Sequence, residues 1–471
     1  MRAIQRTSLL AIVLSAAAFV GCSSGELGTK DEDVADPSAK NDGGSLRPGF
    51  ESLVLGAYGE APPDSTNALL ADATKRTKAA SLGHRIFFDT RFSGALLDSD
   101  HRPEFGGLGS PGETGKLACA SCHVPADGFV DTRSTRGALS LGAAWTPRKS
   151  IALVDVAYRG ASLLMWDGRH DALWNQVFTP FEKHLELNTG RLFVAQQIAK
   201  DPTYAAGYAE IFGALPPLTD PAQYPQLARG GCLADPSGKA IDCHGKPGDG
   251  AEYDALSAEK KDAVTRVVVN AGKAIQAYEQ NLKCGTSRFD AWASGKDSAL
   301  NDAEKRGAAL FAGKGACVSC HQGKFLTDNS FHNIGLAPGG PQLLFMDPDD
   351  QGAAGATTAR KADDVNTSSK YSDDRSTQRG AQDLSAALGS FKTPSLRCLS
   401  KRRSFFHTGQ ARTLADVVAL KSKGGETSGF FGKNELRPLN LTESEQGDLV
   451  AFLLSLDGVE GGTDPKWMSA P

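Results

Sequence analysis

The apolar positions follow a helical period over most of the chain, and strand-like alternation is sparse. Val264, Val268, Ala271, Ile275, Tyr278 and Leu282 recur at helical spacing and predict one long helix. Asn301 with Glu304 forms a capping box for another, leading through Leu310 and Phe311. Thr442 with Glu445 does the same for a helix bearing Leu449, Val450, Leu453 and Leu454 near the end. Two stretches have no such period: 214–255, rich in Pro, Gly and Asp, and 337–382, rich in Asp, Ser, Thr and Gly. Both are expected as loop-rich surface insertions in a mostly α chain.

The N-terminus obeys a different logic. Arg2 and Arg6 precede an apolar run, Leu9 to Val20, that is too short to span a bilayer and reads as an export signal. It closes on Phe19-Val20-Gly21-Cys22, which resembles a lipoprotein processing box, with residues 1–21 as signal peptide and Cys22 as the lipid-bearing residue. Ser23 follows, without the Asp that favours inner-membrane retention. The expected location is periplasmic, anchored by that lipid to the outer membrane. Residues 22–65 read as a polar tether, so folding is expected to begin near residue 65. With 471 residues, 40% of them hydrophobic, the remainder can bury more than one core. Loss of Arg2 and Arg6 takes the formal charge from -4 to -6, too mild to imply nucleic acid as a partner.

Nine cysteines sharpen the picture, because an oxidising compartment pairs those without another use. Four lie in two copies of one pattern, Cys119-Ala120-Ser121-Cys122-His123 and Cys317-Val318-Ser319-Cys320-His321. Each copy offers two thiols spaced to form thioethers with the vinyl groups of one haem, and a histidine, His123 or His321, as axial ligand. The expectation is two cytochrome c-like helical domains, each with one covalently bound c-type haem: 66–258 with the insertion 214–255, and 259–458 with the insertion 337–382, then a tail, 459–471. Cys232, Cys243, Cys284 and Cys398 remain, most simply as Cys232 with Cys243 and Cys284 with Cys398, although spacing leaves other pairings open.

Five stretches then occur in order: Leu82 to Gly94, the first haem motif, Trp166-Asp167-Gly168-Arg169, Phe331-His332-Asn333-Ile334-Gly335, and Lys392 to Arg397 followed by Phe406-His407-Thr408-Gly409. Together they resemble the bacterial di-haem cytochrome c peroxidase family, which includes the MauG-type enzymes that oxidise residues on a partner protein. The resemblance runs from about residue 80 to 456 and implies a tryptophan between the haems, with a glutamine and a glutamate over the open face of the first. Trp166, Gln176 and Glu186 stand at the family's ten-residue offsets, with Pro180 also in place. A positioned carboxylate can take the proton of peroxide's proximal oxygen and return it to the departing one.

Three departures refine what the resemblance implies. The family's displaceable histidine on the first haem is replaced by Leu139, so that iron is expected to be five-coordinate, with His84, expected to be exposed, and His101 as the nearby alternatives. The second haem's methionine is replaced by Lys421, leaving Lys421, His332, Met346 or an open position to complete it. An axial lysine must be neutral, which at pH 7 costs about 4.6 kcal/mol from its reference pKa. Losing a soft thioether favours higher iron oxidation states and shifts weight toward MauG-like chemistry. The family's inter-haem calcium positions carry Lys149, Arg402 and Ser404, a set that cannot supply six to eight oxygens.

These expectations give a periplasmic di-haem oxidoreductase that uses hydrogen peroxide and draws electrons from a small redox protein. A MauG-like enzyme acting on a protein substrate is the alternative. A non-enzymatic electron-transfer lipoprotein is the alternative of another class, and a haem-based sensor a further one; a five-coordinate first iron would argue against the electron carrier.

Overall fold

The computed structural model describes residues 47–471 apart from 56–59, 134–138, 161, 236–237 and 340–345. The signal peptide, Cys22 and most of the expected tether lie outside the described residues. No helix among those described is long and apolar enough to cross a membrane.

The fold is largely helical, and the three helices predicted from spacing and caps form as Ala258–Glu279, Asp302–Ala312 and Glu443–Ser455. Both predicted capping boxes are present, Asn301 with Glu304 and Thr442 with Glu445. Among the described residues, strand structure is limited to three two-stranded antiparallel pairs.

Two apolar clusters divide the described residues into lobes. In the first, helix Ala73–Phe88 packs along Ala258–Glu279; in the second, Asp302–Ala312 packs along Glu443–Ser455. Each pair closes on a glycine. A Cβ at Gly83 would lie 2.1 Å from the Ala274 carbonyl oxygen, and one at Gly307 2.0 Å from that of Asp448. Gly83-x-x-Ile86-Phe87 and Gly307-x-x-Leu310-Phe311 are therefore the same device in both lobes, as a duplicated domain requires.

Four expected boundaries need correction. Helix Ala258–Glu279, assigned mostly to the second domain, contributes Val264, Val268 and Ala274 to the first lobe's core; an apolar stripe does not say which neighbour it faces. Residues 47–55, placed in the tether, are folded: Phe50 and Leu53 are buried against Phe289 and Trp292, and Arg47 pairs with Asp297 at 2.6 Å. Two large apolar side chains and one ion pair tie down a stretch whose composition is otherwise polar. Segment 214–255 is anchored, because Leu218, Tyr224, Leu227 and Tyr253 enter the first core. Segment 337–382 crosses to the first lobe, where Val365 and Tyr371 are buried and Thr367 Oγ1 donates to Asp171 at 2.6 Å. Apolar residues spaced without period gave no sign of this.

Both disulfides form in the simplest pairing. Cys232–Cys243 closes the hairpin Gly231–Ala234 with Ala240–His244, and Cys284–Cys398 ties the end of the long helix to the Lys392–Arg397 stretch.

Candidate active site

The four cysteines of the two motifs stay reduced beside two formed disulfides. Burial pushes the Cys119 and Cys122 thiols up to about 12, with the Glu186 charge adding to it, and raises Cys317 to about 11. Thiols held this way are poor nucleophiles toward solvent and have no partner sulfur, which suits capture by an apolar cofactor. The histidines are prepared in the same manner at both motifs. His123 Nδ1 lies 3.0 Å from the Phe129 carbonyl, and His321 Nδ1 2.9 Å from that of Leu326. A carbonyl only accepts, so each Nδ1 carries the proton and each Nε2 keeps its lone pair for a metal. Phe129 and Leu326 both adopt left-handed backbone, φ 57° and 54°. Such strain in non-glycine residues, repeated at equivalent places, marks positions that function holds. The residues fit a c-type haem at each motif.

The acid–base candidates come from two short helices and the turn after them. Leu173–Gln176 ends on Gln176, whose amide nitrogen lies 3.6 Å from Met165 Sδ. Phe178–Glu182 follows with Pro180 inside it, and the chain then turns so that Glu186 N–H donates to the Lys183 carbonyl at 3.1 Å. The Glu186 carbonyl accepts from Ala143 N–H at 2.7 Å, fixing the turn against the strand-like stretch beyond the first motif. Burial raises the Glu186 carboxyl above its usual range, against the pull of Arg169. Its charge acts on both thiols of the first motif, so Glu186 lies within electrostatic reach of that motif.

Trp166 lies where the two lobes meet. Its indole N–H donates to the Lys149 carbonyl at 2.8 Å, and its ring centroid is 6.3 Å from that of His407. The two rings occupy matching loops. Met165 and Phe406, immediately before them, have φ 67° and 68°, and the loops are closed by the bridges Leu164 with His170 and Phe405 with Ala411. His407 is sandwiched further by Phe391, stacked at 3.5 Å. Sequence reading placed Trp166 between the haems but gave His407 only as part of a motif; the matching loops could have been found by aligning the two halves.

Lys149, Ser404 and Arg402 come together as their alignment implied. Lys149 Nζ donates to the Ser404 carbonyl at 2.8 Å and to Ser404 Oγ at 2.7 Å. Burial, with Arg402 nearby, pushes the Lys149 ammonium down to about 7. Amine and guanidinium are donors without acceptor capacity, so this set does not fit calcium.

Around the second motif, Lys421 lies near the end of helix Leu414–Lys423. Burial pushes its ammonium down to about 8, while the Cys317 and Cys320 sulfurs pull it back up. Lys421 in turn bears on His321, which burial chiefly lowers to about 4. His332 stands beside the second motif, where its contact with Cys320 and the flanking carboxylates raises it to about 10 and keeps it protonated, and Met346 packs away from that motif. His332 places Nε2 2.8 Å from Asp328 and Nδ1 2.7 Å from Glu435, and Met346 packs against Leu139, Leu141 and Trp145. Near the first motif, His84 is buried rather than exposed, with Nε2–H donated to the Ser469 carbonyl at 2.7 Å. It fills an aromatic box of Phe88, Tyr278 and Trp467, which covers a ring expected to be exposed because the family has a lysine or arginine there. His101 is buried with Nε2 3.0 Å from the Ala143 carbonyl.

Comparison with known proteins converges on one group. The sequence model described as "Di-haem cytochrome c peroxidase" matches residues 77–229. Methylamine utilization protein MauG of Methylorubrum extorquens is 28% identical over 80% of this chain and 77% of its own length. Cytochrome-c peroxidase IdrP1 of Denitromonas iodatirespirans is 28% identical over 88% of this chain and 89% of its own. Among solved structures, the diheme peroxidase BthA from Burkholderia thailandensis superposes with TM-score 0.56 at 22% identity, covering 88% of this chain and 96% of that one. A MauG-like protein associated with microbial copper homeostasis gives 0.55 at 21%, covering 88% and 99%.

Proposed function

We propose that this chain is a member of the di-haem cytochrome c peroxidase family, a periplasmic oxidoreductase with two covalent haems, at Cys119/Cys122/His123 and Cys317/Cys320/His321. It reduces hydrogen peroxide with electrons from a small donor protein. The single observation that carries this reading is Glu186, a half-buried carboxylate with raised proton affinity near the first motif.

When bound, the haem supplies the redox iron at which the peroxide O–O bond breaks. The chain's own residues handle the protons. Glu186 takes the proton from peroxide's proximal oxygen and delivers it to the departing oxygen; a raised pKa makes it the better base for that task. The Gln176 amide orients the peroxide. Trp166 offers the π-system between the two sites, with Lys149 holding its N–H. With Leu139 at the family's histidine position, a haem held by His123 would need no ligand removed before peroxide binds. Lys421 would be the second ligand of a haem held at Cys317/Cys320/His321, a reading supported by its lowered ammonium near His321, by the protonated state of His332 and by the packing of Met346 elsewhere. A nitrogen donor in place of methionine favours the second reading, in which both haems share oxidising equivalents and act on a protein substrate. Arg402, with the partly protonated Lys149, supplies positive charge in place of calcium. A lipid on Cys22 holds the enzyme at the outer membrane.

The test is Glu186→Gln, which keeps the shape and removes the base. Peroxide-driven oxidation of a reduced cytochrome is expected to fall by roughly 10²- to 10⁴-fold with both haems still attached. Unchanged turnover would remove Glu186 from the mechanism.

A further inference from the structure

The aromatic box on the histidine side of the first motif has no part in the proposed chemistry, yet it runs from the His123 ring to the surface. The Phe87 centroid lies 6.4 Å from His123, Tyr278 is 5.0 Å from Phe87, and Trp467 is 5.9 Å from Tyr278. His84 fills the angle between the last two, stacked on Tyr278 at 5.0 Å and edge-on to Trp467 at 5.1 Å. Tyr278 is wholly buried, whereas Trp467 keeps part of its ring exposed.

The tail that carries Trp467 is fastened to this wall. Gly458–Glu460 pairs with Thr286–Ser287, and Thr463 N–H donates to the Lys283 carbonyl at 3.0 Å. The Tyr278 hydroxyl donates to the Trp467 carbonyl at 2.8 Å, and His84 holds Ser469 as described. Packing alone would be met by aliphatic side chains. This path instead places the two most easily oxidised ring types, tyrosine and tryptophan, in contact and in order toward solvent.

We propose that Trp467 is a surface redox site, through which one-electron reductants too large to enter the protein reduce the first haem centre along Phe87 and Tyr278. The proposal rests on the peroxide reading given above, with peroxide as the oxidant. One electron leaves the Trp467 indole and reaches the oxidised haem centre, and the indole N–H proton passes to water. The external reductant then returns one electron to the ring and water returns the proton. Tyr278 conducts without holding the charge, because its O–H faces a carbonyl, which takes no proton from it. Lys466, whose ammonium lies 5.2 Å from the Trp467 ring centre, disfavours a cationic ring and so favours loss of that proton.

The experiment uses the full holoprotein with both haems, hydrogen peroxide, and the bulky dye ABTS as reductant. In the wild type without dye, peroxide is expected to give a tryptophan radical in electron paramagnetic resonance and oxygenated Trp467 in peptide mass spectra. In Trp467→Phe both signals disappear and ABTS oxidation falls about tenfold or more, while the first haem's rapid-mixing response to peroxide is unchanged. Trp467→Tyr, which restores an oxidisable ring, regains dye oxidation with a tyrosine-type signal. A normal peroxide response with radical and dye oxidation unaltered in Trp467→Phe overturns the proposal and leaves the peroxide reading standing. No peroxide response in the wild type overturns both.

Discussion

Two lysines, Lys149 buried and Lys421 half-buried, carry much of what distinguishes this chain, and their surroundings give them different work. Lys149 donates two hydrogen bonds to Ser404, so its proton has a use. Lys421 has the motif's sulfurs and the His321 imidazole for neighbours, and desolvation pushes its ammonium down to about 8. A base lowered from 10.5 to about 8 destabilises the folded state most below pH 8, and that cost fades as pH rises toward 10.5. Iron binds only the neutral amine, so it competes with the proton and draws the titration further down. The expected ferric second haem is therefore low spin at neutral pH and turns high spin in acid, read by absorption and paramagnetic resonance. Lys421→Ala should give the high-spin form already at pH 7, and Lys421→Met should raise that haem's potential in a redox titration. A neutral-pH spectrum indifferent to Lys421→Ala would take the lysine off the iron. The position was legible in the sequence as a missing methionine, but the lowered ammonium was not, since it depends on what encloses the side chain.

Among the elements, the Lys392–Arg397 stretch shows what a motif can hide. Arg397 is fully buried and grips Asp290 at 2.7 and 3.0 Å, Ser287 Oγ at 3.1 Å, and the carbonyls of Leu53 and Lys324 at 2.9 and 2.7 Å. One guanidinium thus joins the N-terminal segment, the capped helix Arg288–Ala293 and the loop just beyond His321. Arg397→Ala leaves Asp290 buried without its partner, and is expected to cost about 3–5 kcal/mol, measured as a lower unfolding midpoint in denaturant. Arg397→Lys should recover only part, since an ammonium cannot reproduce the planar fork. A variant as stable as the wild type would show that water replaces the guanidinium. Helices were legible because caps and a 3.6-residue period are local signals, as at Asn301 and Thr442. The burial of Phe50, Leu218 and Val365 was not, because those residues sit in aperiodic, polar stretches and are held by partners hundreds of residues away or across a lobe.

At the scale of the molecule, the organising feature is duplication with unequal ends. Each lobe has the glycine-closed helix pair, the C-x-x-C-H motif, the strained carbonyl that sets the histidine's tautomer, and the tight loop that presents a ring. At those loops the halves differ: one presents Trp166, the other His407, with centroids 6.3 Å apart. Burial and the Arg148 charge hold His407 down to about 3, so it stays neutral and serves as a ring to pack on rather than a charge. Only the indole of the pair is readily oxidised, which fits Trp166 to the proposed role of relay between the two sites. Trp166→Phe keeps a ring of similar shape and loses both the low oxidation potential and the hydrogen bond to Lys149. Peroxide should still react at the first haem of this variant, with the response of the second delayed or lost in rapid-mixing spectra. The Glu186→Gln variant should instead slow the response of both. If the two haems of Trp166→Phe respond together at the wild-type rate, electrons cross by another route, and the meeting of the matching loops serves only to join the lobes.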